Sequence, residues 1–91
     1  MSGCLYLIKQ FLPNLAPSER KVADFLLANP TQAVSMGVQD VAKATGSSAA
    51  ACIRFASRLG FAGYTELRLA LAKEVFSSER VAEEQKVREV T

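Results

Sequence analysis

The sequence predicts an all-α protein, a compact bundle of about five helices. Apolar residues recur three and four positions apart along most of the chain, which is the periodicity of amphipathic helices. No stretch shows the strict apolar–polar alternation between turn residues that is typical of strands. With 91 residues, 49% hydrophobic and 22% charged, the composition is that of one small globular domain.

Proline residues set the bounds of the first predicted helices. A first helix is predicted over 5–15, and Pro13 should end or kink it because proline lacks an amide hydrogen. Pro17 is typical of a first helical turn, where the carboxylate of Glu19 would also be stabilised by the helix dipole. That second helix should end at Asn29-Pro30, a dipeptide that can also begin a short segment over 31–36.

Glycine and serine residues divide the second half of the chain. One helix is predicted from Val38 to Gly46, another over 49–59 after the serine caps, and a last firm helix over 64–76. By helical spacing, the residues expected to face the core are Val22, Phe25, Leu26, Cys52, Phe55, Ala56, Leu59, Leu67, Ala70, Leu71 and Val75. Cys52 is interpreted as a small core residue rather than a redox switch.

The stretch 38–60 predicts a helix-turn-helix. Two helices that cross closely need a small residue at their nearest approach, and Ala42 supplies one. Gly46, four residues later, can adopt a positive φ at the turn without a Cβ clash. The two short helices and their tight turn therefore resemble the unit that many proteins insert into the major groove of DNA.

Basic residues are expected on the outer face of the second helix. If Cys52, Phe55 and Leu59 point inward, rotation by about 100° per residue turns Arg54 and Arg58 to the opposite side. Residues 41–65 contain three bases and no acid, whereas a merely solvated face usually mixes both signs. Guanidinium groups bind phosphate and guanine through paired hydrogen bonds, so this face predicts a DNA contact.

Eight residues are candidates for contacting DNA. Arg54 is expected to meet a base or a phosphate and Arg58 a phosphate, while the two serines at the helix start can donate to DNA as they cap. Alternatives remain open: a solvated face for the arginines, plain surface for the residues of the preceding helix, and a packed ring for Tyr64. The candidates are Gln39, Lys43, Ser47, Ser48, Ala50, Arg54, Arg58 and Tyr64.

Five short motifs, in order, resemble the N-terminal domain of RpiR-family transcription regulators. The similarity runs from about residue 5 to 76 and rests on several fragments together, since each alone is weak. They are Ser18 to Ala23 with Asn29-Pro30, Val41-Ala42 with Gly46, Ile53 to Phe55, Leu59 to Tyr64, and Glu66 to Arg68.

The resemblance implies a homeodomain-like helix-turn-helix that binds double-stranded operator DNA as a homodimer. In the family such a domain ordinarily precedes a sugar-isomerase-type domain that senses a phosphorylated sugar and controls genes of carbohydrate use. No such second domain follows here, so the chain is expected to be an excised fragment or a natural short form. The effector would then act only through an absent C-terminal domain.

The sequence departs from the family pattern at several positions. Family members usually carry an apolar residue at Ser47, a polar one near Ala49, threonine and valine at Ala51 and Cys52, and often lysine at Ala62. Because these changes remove polar and basic groups, they bear on the strength of DNA binding. A helical protein-interaction or dimerisation module with weakened DNA contacts is therefore the alternative function.

Other function classes find little support. The chain has no histidine, and it shows no metal-ligand spacing, phosphate-binding loop or activated cysteine, so neither an enzyme nor a cofactor site is expected. Two cysteines and the lack of a leader or a long apolar run favour a cytoplasmic protein without a membrane partner. Residues 77–91 are expected to form a charged helical tail or a linker.

Overall fold

The computed structural model describes residues 3–76, and within this range it confirms the all-α prediction. The helices are α1 (Cys4–Phe11), α2 (Pro17–Ala28), α3 (Pro30–Ala33), α4 (Val38–Thr45), α5 (Ala49–Arg58) and α6 (64–76). The charged tail or linker predicted over 77–91 lies outside the described residues. None of the helices in the described range is both long and apolar enough to cross a membrane.

Proline residues shape the first half of the fold as predicted. α1 ends at Phe11, and a 3-10 turn over Leu12–Asn14 carries Pro13 at its start. Pro17 is the first residue of α2, where its missing amide hydrogen costs nothing. The carboxylate of Glu19 accepts a hydrogen bond from the amide of Ala16 at 3.1 Å, which ties the residue before α2 to its first turn.

The segment after Pro30 is shorter than the sequence suggested. α3 covers Pro30–Ala33, not 31–36. Beyond it, the amides of Ser35 and Met36 bond to carbonyls three residues back, which tightens the chain into a turn instead of extending the helix. Gly37, in an extended conformation, then leads into α4.

Within residues 3–76, one hydrophobic core joins the six helices. Phe55 is the largest fully buried side chain, and its helix α5 packs against both α2 and α4. Of the residues predicted to face inward, all but Phe25 and Ala70 are buried, and those two are half-buried. Ile8, Val41 and Tyr64 complete the core from α1, α4 and α6.

Glycine ends both helices of the helix-turn-helix in the same way. Gly46 has φ of 69° and Gly60 has φ of 98°. At the first turn the amide of Ser47 bonds to the carbonyl of Ala42 at 3.0 Å; at the second the amide of Phe61 bonds to that of Ala56 at 3.0 Å. These six-residue hydrogen bonds define Schellman motifs, so the predicted glycine turn at the end of α4 is confirmed.

Two polar contacts fix α6 to the rest of the bundle. Arg68 donates from its guanidinium to the carbonyl of Met36 at 3.1 Å, next to the start of α4. Glu74 accepts from the amide of Leu5 at 3.1 Å, in the first turn of α1, where a negative charge is favourable. One partner lies in the turn before α4 and the other in the first turn of α1, so these contacts hold α6 against the first and middle parts of the chain.

Gly46→Ala should destabilise the domain by about 1 to 2 kcal/mol, because the Cβ of alanine clashes with the backbone in the left-handed conformation. No atom lies within 4 Å of the position that a Cβ would take, so the loss comes from φ and not from crowding. Gly46→Asn is the matched control, because asparagine enters this conformation more readily and should recover part of the loss. Urea unfolding measures both variants, and an unchanged midpoint for Gly46→Ala would contradict the assignment.

Candidate nucleic-acid interface

α5 is the second helix of the helix-turn-helix and has one packed side and one exposed side. Ala51, Cys52, Phe55 and Ala56 are buried. The exposed residues are Ala50, Ile53, Arg54, Ser57 and Arg58. Arg54 and Arg58 thus lie on the surface as predicted, with side chains 56% and 49% exposed.

A buried carboxylate holds both arginines. Glu19, on α2, is 1% exposed. One of its oxygens, Oε1, lies 2.6 Å from Nε of Arg58, and the other, Oε2, lies 3.6 Å from Nε of Arg54. Oε1 also accepts the amide of Ala16. A single carboxylate therefore joins the start of α2 to two consecutive turns of α5.

This contact corrects the electrostatic prediction. Residues 41–65 include no acidic residue. In the fold, however, the negative charge of Glu19 lies beneath Arg54 and Arg58. The sequence alone predicts only that the carboxylate of Glu19 is stabilised by the dipole of α2. Glu19 is the third residue of α2, a position typical of a capping glutamate. Nothing in the sequence links Glu19 to α5.

The two serines before α5 have different roles. The hydroxyl of Ser48 accepts from the amide of Ala51 at 3.1 Å, so it caps the helix and keeps its own proton available. The hydroxyl of Ser47 lies 2.6 Å from that of Thr45. Because Thr45 directs its proton to the carbonyl of Val41 at 2.8 Å, Ser47 is the donor in this pair. Its proton is therefore used inside the turn and not offered to DNA.

The remaining candidates at the corner lie around one shallow depression. Gln39 and Lys43 are exposed on α4 and face the start of α5. The depression also includes Asp40, which is exposed in the first turn of α4. Its residues are Gln39, Asp40, Ala42, Lys43, Ser47, Ser48 and Ala49. The fold therefore brings the predicted polar groups together, with one carboxylate at their rim.

Tyr64 does not join this surface. It is 5% exposed and belongs to the core cluster, and burial raises the pKa of its hydroxyl to about 12. The alternative of a packed ring is thus the one observed, and the phosphate contact suggested for Tyr64 is withdrawn. The ring was hard to place from the sequence because tyrosine suits both a core and a wet interface.

Two exposed residues of α5 were missed. Ser57 follows Ala50 by two helical turns on the same exposed side, so its spacing could have identified it. Ile53 is also exposed, and no pattern predicts this because isoleucine at helical spacing normally indicates a core position. Ala50, Ile53, Arg54, Ser57 and Arg58 are called the α5 outer face from here on.

Cys52 is fully buried beneath this helix. Burial raises the pKa of its thiol. A thiol that stays protonated is a poor nucleophile. Its interpretation as a core residue is therefore confirmed.

α5 is a short helix that packs against two others, follows a glycine turn and has a basic outer face. These features together define a helix-turn-helix DNA-binding domain. The sequence profile described as the helix-turn-helix domain of the rpiR family matches residues 2–79. The chain belongs to this family, and it is the DNA-binding domain of a transcription regulator, as its sequence motifs predicted.

Individual relatives give the same assignment. The chain is 36% identical over 74 residues to the uncharacterized HTH-type transcriptional regulator YbbH of Bacillus subtilis, and this match covers 81% of the chain and 26% of the relative. Against YfhH of Escherichia coli, another uncharacterized HTH-type transcriptional regulator, the identity is 38% over 77 residues, covering 85% of the chain and 27% of the relative. The chain thus spans about a quarter of the length of these curated relatives.

Solved structures share the fold. The crystal structure of the N-terminal domain of YbbH from Bacillus subtilis superposes with a TM-score of 0.74 at 38% identity, covering 79% of this chain and 88% of that domain. The NanR protein of Vibrio vulnificus, solved in complex with ManNAc-6P, superposes with a TM-score of 0.79 at 25% identity. That match covers 91% of this chain and 32% of NanR.

Proposed function

We propose that the domain binds double-stranded operator DNA by inserting α5 into the major groove. The observation that carries the proposal is the pair formed by Arg54 and Arg58, one turn apart on the α5 outer face and each about half exposed. A major groove accepts one helix and is walled by phosphates. Arg54 is assigned to a base edge or a phosphate, and Arg58 to a phosphate.

The corner before α5 adds backbone contacts to this proposal. Ser48 keeps a free hydroxyl proton while it caps the helix, and the positive end of the helix dipole favours a phosphate there. Gln39 and Lys43, exposed on α4 beside the same depression, are assigned to the sugar-phosphate backbone. Contacts of this kind fix orientation but carry no base information.

Direct readout by the α5 outer face is expected to be sparse. Ala50 offers only a methyl group, and Ile53 only an apolar surface, for contact with thymine methyl groups. Arg54 and Ser57 are the donors nearest the middle of the exposed side. Much of the sequence selectivity is therefore assigned to Arg54, to the shape of the DNA and to the spacing of two half-sites.

The regulated genes are proposed to serve carbohydrate metabolism. Support comes from membership of the rpiR family and from the likeness to NanR, a protein solved with a phosphorylated sugar. A sugar phosphate would act on a second domain and not on these residues, since the chain matches only about a quarter of the length of its relatives. The cytoplasm is the proposed site of action.

The domain is proposed to act as a homodimer, because one short helix buries little surface on DNA. The first and last described helices are the candidates for the interface: α6 carries Leu69 and Phe76, 56% and 55% exposed, while α1 carries one large exposed apolar residue, Tyr6. Two large apolar side chains on one helix favour α6 as the dimer contact.

Arg54→Ala should weaken binding to operator DNA by about 1 to 3 kcal/mol, because a bidentate contact is lost. Lys9→Ala, on α1, removes the same unit charge outside the helix-turn-helix and serves as the control. The measurement is fluorescence anisotropy with a duplex that the wild-type chain enriches from a random pool. Equal losses for the two variants would reject a specific contact by Arg54.

The salt dependence of the same titration separates the two functions suggested by the sequence. Binding to DNA phosphates releases counterions, so affinity should fall steeply between low and physiological salt. A protein-interaction module with an apolar interface would show little change, and it would enrich no duplex from the pool.

Leu69→Glu should shift the chain from dimer to monomer, because it places a charge in the proposed interface. Tyr6→Glu makes the corresponding change on α1 and should leave the dimer intact. Sedimentation equilibrium reports the mass, with circular dichroism to show that both variants are folded. A monomeric wild-type chain at all accessible concentrations would exclude the dimer.

A further inference from the structure

We propose that Glu19 is a positioning residue for DNA binding: its buried carboxylate presents the guanidinium groups of Arg54 and Arg58 to the DNA in a fixed orientation. The inference rests on the proposed function of the α5 outer face. Glu19 itself does not touch DNA, since it is buried beneath the arginines.

The geometry of the contacts carries this inference. Both arginines approach Glu19 through Nε, the nitrogen nearest the aliphatic stem: Arg58 at 2.6 Å, within hydrogen-bond distance, and Arg54 at 3.6 Å, as a longer ion pair. A guanidinium group that is held at Nε can still offer its two terminal nitrogens as a donor pair to a phosphate or a guanine. About half of each side chain remains exposed, so the held edge lies inward and a second edge is left for the DNA.

Ordering the arginines in advance lowers the entropic cost of binding. A free arginine side chain samples many rotamers, and fixing it at an interface costs free energy. The carboxylate restricts the arginine side chains before DNA binds, so less conformational entropy is lost on binding. It also reduces the repulsion between two cations one turn apart. Both effects favour binding.

The same carboxylate also opposes binding through its charge, and this makes the inference testable. A negative charge near the interface weakens the attraction of phosphates. If Glu19 acted only through charge, its neutralisation would tighten the DNA complex. If Glu19 positions the arginines, neutralisation should loosen the complex although the net charge of the protein becomes more positive.

Glu19→Gln tests the sign of the effect. Its amide oxygen can still accept from Ala16, but it can no longer pair with both arginines as an anion. We expect affinity for the selected duplex to fall about three- to tenfold, the cost of ordering a long side chain at an interface. Asp24→Asn is the matched control: Asp24 is exposed on the same helix, so the same gain in charge should leave binding unchanged or tighter.

Glu19→Asp is a second variant that keeps the net charge and shortens the side chain by one methylene. The carboxylate then cannot reach both Nε atoms, so binding should again weaken. Circular dichroism establishes that each variant is folded before DNA is added. Affinity equal to or tighter than that of the wild type in folded Glu19→Gln, or an unchanged affinity in Glu19→Asp, would overturn the inference.

A readout without DNA separates this inference from the proposed function. In nitrogen–proton correlation spectra, the Nε proton of Arg58 should exchange slowly with water in the wild type and rapidly in Glu19→Gln. Arg20, exposed on α2, should exchange rapidly in both. Rapid exchange of the Arg58 proton in the wild type would overturn the positioning role, whereas failure to enrich any duplex would overturn the proposed function together with it.

Discussion

The carboxylate of Glu19 is the constraint on which the geometry of the interface depends. A charge that is removed from water costs several kcal/mol unless donors surround it. Here the amide of Ala16 and the Nε group of Arg58 are those donors, and Arg54 adds a longer ion pair at 3.6 Å. Because these partners come from the start of α2 and from two turns of α5, the carboxylate has all of them only when the two helices meet in this orientation.

The rest of the fold makes that meeting possible. Phe55 on α5 is fully buried, and α5 packs against α2 and α4; burial of this large ring restricts the rotation of α5 about its own axis. Gly46 allows α4 to stop and the chain to turn directly into α5. Packing thus decides which side of α5 faces inward, while the contact with Glu19 fixes the direction of the long side chains on the other side.

Features that depend on near neighbours in the sequence could be predicted. Pro17 begins α2, Gly46 ends α4 and Ser48 caps α5, and each acts within about one helical turn. The inward side of α5 was also predicted correctly, because burial of Phe55 and its neighbours follows the helical period. The family resemblance then added the function that these local rules could not supply.

Features that depend on tertiary contacts could not be predicted. Glu19 and Arg58 are far apart in the sequence, and no local signal pairs them. From the sequence alone, Tyr64 could be either buried or exposed. Isoleucine at helical spacing is normally a core residue, so the exposure of Ile53 could not be predicted. The hydroxyl of Ser47 forms a hydrogen bond with that of Thr45 inside the turn. Only the geometry of the turn reveals this contact.

The most direct test of the account is to map the DNA contact on the folded chain by backbone and arginine side-chain chemical shifts during titration with the selected duplex. The account predicts that the largest changes follow the start of α5, its outer face and the side chains of Arg54 and Arg58, with smaller changes on α4. Changes confined to α1 or to the exposed side of α6 would contradict it.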